Sequence, residues 1–330
     1  MPERYLVTGG AGYVGSHCVA ALVARGDWVV VLDNLRQGHR EAVPDGVRLV
    51  EADVSDVAAL DATLGAETFD GVLHFASLSL VGESMADPLR YLTENTLAGL
   101  RLIDACVRQG VPRFVLSSTA NLFGAPKTMP IDEDAPIEPG SPYGESKWMI
   151  ERALVWAERV HGLRAARLRY FNAAGADPEG RLGEDHDPET HLIPLAIDAA
   201  LGRRPALSVF GDDYDTPDGT CIRDYVHVCD LAEAHLLALA QLDRGSVTYN
   251  LGNGAGHSVR QVIAAVEAVS GRRVPHVMAP RRPGDPPVLV AAADRIRREA
   301  GWLPRFADLH DIVRTAFAWR ERHPHGYATR

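Results

Sequence analysis

The chain has 330 residues, a length for two domains or one elaborate one, and its 46% hydrophobic and 24% charged composition is that of a soluble globular protein with a sizeable core. Lys plus Arg total 34 against 44 Asp plus Glu, a net charge of −10 that argues against nucleic acid or a membrane surface as the main partner. No apolar run approaches the ~20 residues of a spanning helix, and the opening MPERYLVTGG enters a strand-like run with no signal-peptide pattern.

Short β-branched runs predict strands over 5–8, 28–32, 47–51, 71–75, 113–118 and 165–170. Between them, apolar residues recur at helical spacing, over 14–25, 89–109 and 144–161 for example. This alternation reads as βαβ units: an α/β, Rossmann-type doubly wound parallel sheet with right-handed crossovers. Beyond Asn172 the pattern loosens, and Gly, Pro and Asp cluster over 175–188, 211–219 and 279–287. A helix over 230–241 and a strand over 247–251 suggest that the chain returns to the first sheet there. The expected organisation is a nucleotide-binding domain over 1–172, with about 224–252 returning to it, and a smaller, loop-rich substrate domain over 173–330.

The first predicted strand runs into Gly9-Gly10-Ala11-Gly12-Tyr13-Val14-Gly15, after which a helix begins. Gly9 allows the tight turn, Gly12 lets backbone approach a pyrophosphate, and Gly15 lets helix and strand pack closely. The helix N-terminus then offers free N–H groups and its positive dipole end to the anion. The second strand ends at Asp33, eighteen residues after Gly15. A carboxylate there accepts hydrogen bonds from ribose hydroxyls and repels a 2′-phosphate, so the expected cofactor is NAD rather than NADP.

Tyr143-Gly-Glu-Ser-Lys147 sets a phenol and an ammonium one helical turn apart on one face. A free Tyr has a pKa near 10, too high for a base at neutral pH, but a neighbouring ammonium favours phenolate. Lys127 and Lys147 are the only two lysines, Arg carrying nearly all the positive charge, which singles Lys147 out. Upstream, the 113–118 strand ends in the hydroxyls of Ser117, Ser118 and Thr119, each able to donate and accept. Four cysteines (Cys18, Cys106, Cys221, Cys229) show no CxxC and no nearby His at ligand spacing. They predict unpaired thiols, a reducing cytoplasmic location and no metal.

The Gly-x-x-Gly-x-x-Gly spacing resembles the extended short-chain dehydrogenase/reductase superfamily. That resemblance implies that Asp53 and Val54 contact the adenine, that His74-Phe75-Ala76 line the cofactor cleft, and that Asn95 is a structural asparagine. It also implies that Thr119, rather than Ser118, bridges the sugar hydroxyl and Tyr143, and that Lys147 hydrogen-bonds the nicotinamide ribose. Tyr13, Val14, Asn34, Ser77, Ser79, Tyr170 and Phe171 complete the expected cofactor contacts.

The matches TGGAGYVGSH, VVLDNL, LHFA, VGES, SPYGESK, RYFNAAGA, HLIPLAI, VFGDDYDTPDGTCIRDYVHV and RRPGD resemble the UDP-glucose 4-epimerase family over nearly the whole chain. The resemblance implies that Asn172 contacts the diphosphate of a UDP-sugar, and that His191 and Leu192 supply loop contacts to the nucleotide. Phe210 would pack near uracil, Arg223 and Arg282 would hold the diphosphate, Asp285 the ribose, and Leu289 would gate the space around C2 of the sugar. The implied chemistry is transient oxidation at C4 with Tyr143 as base, and the implied assembly a homodimer through the helices of 89–109 and 144–161. Ser79 departs from the family pattern, which places a lysine there against cofactor phosphate. Ala120-Asn121 lacks the Asp-Glu pair that a 4,6-dehydratase needs after its bridging Thr. UDP-glucuronate or UDP-pentose 4-epimerases share the same motifs, and a non-catalytic NAD sensor is the alternative of another class.

Overall fold

The structure, a computed structural model, describes residues 2–124, 126–282 and 285–327. Pro283 and Gly284 of the RRPGD match therefore lie outside the described residues. The first half follows the predicted alternation: β1 (Arg4–Thr8), α1 (Tyr13–Arg25), β2 (Trp28–Asp33), β3 (Arg48–Glu51), α2 (Val57–Ala66), β4 (Gly71–His74), α3 (Val81–Ala86), α4 (Pro88–Arg108), β5 (Arg113–Thr119), α5 (Pro142–His161) and β6 (Arg164–Tyr170). There follow β7 (Asn172–Ala174), α6 (Leu192–Ala200), β8 (Leu207–Phe210), β9 (Ile222–His227), α7 (Val228–Gln241), β10 (Val247–Leu251), β11 (Gly256–Ser258), α8 (Val259–Ser270), β12 (His276–Ala279), β13 (Val288–Leu289), α9 (Asp294–Ala300) and α10 (Leu309–Arg322).

Seven parallel strands form the main sheet in the order β10-β6-β5-β4-β1-β2-β3. Its strands are apolar on both faces because both are covered. Leu6 and Val30 point to one side, beneath α2, α4 and α5, while their neighbours Val7 and Val31 point to the other, beneath α1 and α7. The strand order reverses between β1 and β4, and the crevice at their C-terminal ends is where such a sheet receives a ligand.

The return to this sheet consists of α7 and β10. The expected start near 224 is displaced, because 224–227 belong to β9, which pairs with β7, β11 and β13 in a second sheet. A second return was not anticipated. Ala293, Ile296 and Trp302 add to the core around α7 and β10, and the buried Trp302 indole donates to the Asp230 carbonyl at 3.0 Å. A smaller core between α6, α8 and α10 supports the second lobe, with β8 and β12 paired in parallel beside it. Among the described residues, no helix is long and apolar enough to cross a membrane.

Candidate active site

The glycine turn after β1 is built by close approach. Gly9 has φ +73°, and a Cβ there would stand 2.4 Å from the Ala76 nitrogen, while a Cβ on Gly15 would stand 2.1 Å from the Gly9 carbonyl oxygen. Both positions admit only glycine. Gly10, not among the expected site residues, packs against the Val31 side chain. Gly12 is the N-cap of α1; no side chain caps that helix, and its first turn carries no acidic residue. Its N–H groups thus point unneutralised into the crevice, which fits a bound pyrophosphate. Val14 lies in the same turn, and the Tyr13 phenol donates to the Gly175 carbonyl at 2.6 Å, tying the turn to the second lobe.

Asp33, buried at the end of β2, accepts from the backbone N–H groups of Ala11 (3.0 Å) and Leu35 (2.9 Å). Burial raises its pKa, with the two backbone donors opposing. The carboxylate is thereby oriented beside the glycine turn, with lone pairs left for a ribose. Asn34 donates to Asp53 at 2.8 Å, so the ends of β2 and β3 share one exposed polar rim above buried Val54. On the other side of β1, Phe75 and Ala76 donate their N–H groups to the Thr8 carbonyl at 2.8 and 3.1 Å. Asn95 spends its amide on Leu78, accepting from its N–H (2.8 Å) and donating to its carbonyl (3.0 Å), and also donates to the Ser146 hydroxyl (3.1 Å). It positions the 77–80 strip rather than facing the crevice. Ser77 sits in that strip, and Ser79 is exposed without a charge to offer. The groups present fit an NAD molecule: uncapped helix donors for the phosphates and a carboxylate for the ribose.

The catalytic candidates meet at the next strand end. Ser141 caps α5 through a 3.1 Å bond from the Gly144 N–H, and Pro142 starts the helix. A Cβ on Gly144 would stand 2.4 Å from the Asn121 carbonyl oxygen. Glycine there lets α5 begin against the turn that follows β5, which brings Tyr143 onto Thr119. Burial pushes the Tyr143 phenol up to about 12, while a hydrogen bond with the Thr119 hydroxyl pulls it back. Lys147, 1% exposed, donates to the Ser117 carbonyl at 3.0 Å, with its nitrogen 6.0 Å from the Tyr143 ring centroid. Burial drags the ammonium down to about 7, opposed by Glu151 one turn further along. The Ser117 hydroxyl pairs with the Tyr170 phenol.

Glu151 was missed from sequence. It is fully buried, receives the Ser118 hydroxyl at 2.6 Å and is gripped by the Arg169 guanidinium at 2.7 Å. Tyr143, Lys147 and Glu151 recur at four-residue spacing on one face of α5, the available signal. The same pairing gives Ser118 a structural partner and leaves Thr119 for the reacting group.

The second lobe contributes from several segments. The Asn172 amide donates to the Asp224 carbonyl at 2.9 Å, and Phe171 lies in an apolar cluster with Ala120, Phe123, Ile131 and Ala291, against which Leu289 packs. Arg223, on β9, pairs with Asp285, whose backbone N–H donates to the Arg282 carbonyl at 3.2 Å. The Arg282 guanidinium lies 4.1 Å from the centroid of the Phe210 ring. His191 caps α6, which begins at Leu192, and its imidazole contacts Glu184.

The family model for NAD dependent epimerases and dehydratases matches residues 5–252. The chain belongs to the NAD dependent epimerase/dehydratase family. Within that family it is 54% identical to the UDP-glucose 4-epimerase of Azospirillum brasilense, over 96% of this chain and 91% of that protein. It is 49% identical to the UDP-glucose 4-epimerase of Streptomyces lividans, over 100% of both chains. The solved structure of UDP-glucose 4-epimerase from Bifidobacterium longum in complex with NAD⁺ and UDP is similar at a TM-score of 0.94 and 36% identity, covering 98% of this chain and 100% of that one.

Proposed function

We propose that the chain interconverts UDP-glucose and UDP-galactose by transient oxidation at C4. The observation that carries the reading is the Thr119–Tyr143–Lys147 arrangement at the C-terminal end of β5, two strands along the sheet from the uncapped glycine turn after β1. NAD held by the glycine turn and Asp33 would supply a reversible two-electron hydride acceptor for C4. Tyr143 removes the C4 hydroxyl proton in the first half and returns it in the second. Thr119, bonded to that phenol, both donates and accepts, so it holds the hydroxyl while the proton moves. Lys147, when protonated, sets a positive charge near the Tyr143 ring and favours the ionised phenol against the burial that opposes it.

Epimerisation further requires that either face of the ketone reach the same hydride position. Arg223 and Arg282 supply the charge for a diphosphate, while Ala120, Phe171 and Leu289 offer an apolar wall beside the strand end, Leu289 being the strand neighbour of Arg223. Binding energy placed on the nucleotide leaves the hexose free to turn against that wall. Asn121, which follows the Thr119–Ala120 pair, donates its amide to the Thr119 hydroxyl at 3.2 Å, where a dehydratase would need a carboxylate. Leu289 gates the C2 substituent, so N-acetylhexosamine nucleotides turn over more slowly than plain hexoses.

The exposed apolar side chains of α4 and α5, Leu89, Leu97, Leu100, Met149, Trp156 and Val160, support a homodimer through these two helices. The four unpaired cysteines support a reducing, cytoplasmic setting. The deciding assay incubates purified protein with a panel of UDP-sugars and analyses the sugars at equilibrium. UDP-glucose and UDP-galactose should reach the same mixture from either side; turnover of uronates or pentoses alone would overturn the assignment.

A further inference from the structure

The irregular segment that leads into α6 reads Glu184-Asp-His186-Asp-Pro-Glu189-Thr-His191. It brings together one ligand atom from each of Glu184, His186, Glu189 and His191, all within 4.8 Å of one another. Four ligands at ~2.0–2.2 Å around a tetrahedral ion stand about 3.3–3.6 Å apart, so an ion is admitted once the short Glu184–His191 contact opens and the longer separations shorten. Glu184 is buried, and Glu189 nearly so, while His186 lies 23% and His191 51% exposed at the side chain, an approach for an ion from one side. One Glu189 oxygen, Oε2, is buried without a hydrogen-bond partner; its other oxygen accepts the N–H groups of Thr190 (2.8 Å) and His191 (2.9 Å). The Arg320 guanidinium, 3.7 Å from Oε2, is itself engaged by the Asp198 carboxylate. Two carboxylates thus face two imidazoles, both imidazoles paired with Glu184 and only one, that of His186, also within 3.9 Å of Glu189.

We propose that Glu184, His186, Glu189 and His191 form a tetrahedral zinc site. Two imidazoles with two carboxylates suit a borderline ion of this geometry, whereas calcium or magnesium takes oxygen ligands alone. All four positions are filled by protein, so the site is structural. What it fixes is a junction. The Asp187 carbonyl accepts from the Gln37 amide at 2.8 Å, and the Asp185 carbonyl contacts His39 at 2.9 Å, both partners coming from the segment after β2. The Tyr13 ring stacks edge-on against His186 at 6.1 Å, and Leu192 begins α6 directly after His191. A zinc ion here pins the start of α6 to the glycine turn and its neighbouring loop. The sequence reading, which looked for ligands only near the cysteines, overlooked this spacing.

The test uses the full chain stripped with a chelator and dialysed. Zinc titrated against a chromophoric competitor should bind at one equivalent per chain and raise the thermal midpoint. His186→Asn and Glu189→Gln should each weaken binding at least about tenfold and abolish the midpoint shift. Cobalt substituted into the unmutated protein gives a readout that needs no variant: tetrahedral d–d bands without thiolate charge transfer. Absence of stoichiometric binding, unchanged affinity in a folded variant, or a thiolate band from the cysteines would overturn the proposal and leave the four side chains an ion-pair network.

Discussion

The two lobes hold their functional side chains in different ways. In the first lobe the central candidates sit on the ends of strands or in the first two turns of a helix. Thr119 ends β5, Tyr143 and Lys147 open α5, and Asp33 ends β2. In the second lobe the candidates come from separate segments, and pairs far apart in the chain, such as Arg223 with Asp285, help to join them. The proposed reaction geometry therefore rests on one sheet, and the proposed nucleotide contacts on short strands and turns of the second lobe braced by charge. That division suits a reaction in which the proton acceptor must stay still while the sugar turns.

Perturbing the rigid side should have the larger effects. Tyr143→Phe should lower turnover by about 10²–10⁴-fold with NAD and UDP binding retained, measured by steady-state kinetics and calorimetry; near-normal turnover would remove Tyr143 as the base. Glu151→Ala leaves Arg169 buried without its partner and should destabilise the fold by about 3–5 kcal/mol in urea unfolding. A loss below about 1 kcal/mol, the range of an exposed pair, would show that the pair is not load for the site.

The third prediction follows from charge. Burial drags Lys147 down to about 7 and pushes Tyr143 up to about 12, and the expected outcome is that the two titrate as a pair. The base form needs one proton removed from that pair, so kcat/KM should rise with pH along its acid limb. Lys147→Met removes the cation that favours phenolate and should move that limb upward by about one unit or more. A limb that stays in place would contradict the coupling. On the looser side the effect is smaller and selective. Leu289→Tyr should suppress the N-acetylhexosamine reaction by about tenfold relative to the hexose reaction, and equal losses on both would show that Leu289 is not the gate.

How much of this was legible follows the same division. The sheet, the glycine turn, Asp33 and the Tyr143–Lys147 pair rest on local periodicity and on spacings within one element, which sequence carries directly. The return of α7 and β10 was legible for the same reason. The return of Trp302 was not, because one buried indole in an irregular stretch has no period. Glu151 was passed over because a charged residue on a helix usually faces solvent; only the strand neighbour Arg169, brought alongside by β6, shows it to be buried. Arg223, Arg282 and Asp285 came from family resemblance alone, since no local rule links residues more than fifty positions apart.

The central claim is that a hydride leaves C4 and returns to it without exchanging with water. UDP-glucose carrying deuterium at C4, incubated with the holoenzyme in ordinary water until UDP-galactose has formed, tests it directly. The account predicts that the product keeps its deuterium at C4. Loss of the label to solvent would mean that C4 gives up a proton rather than a hydride, and would contradict the roles given to Tyr143 and the cofactor site.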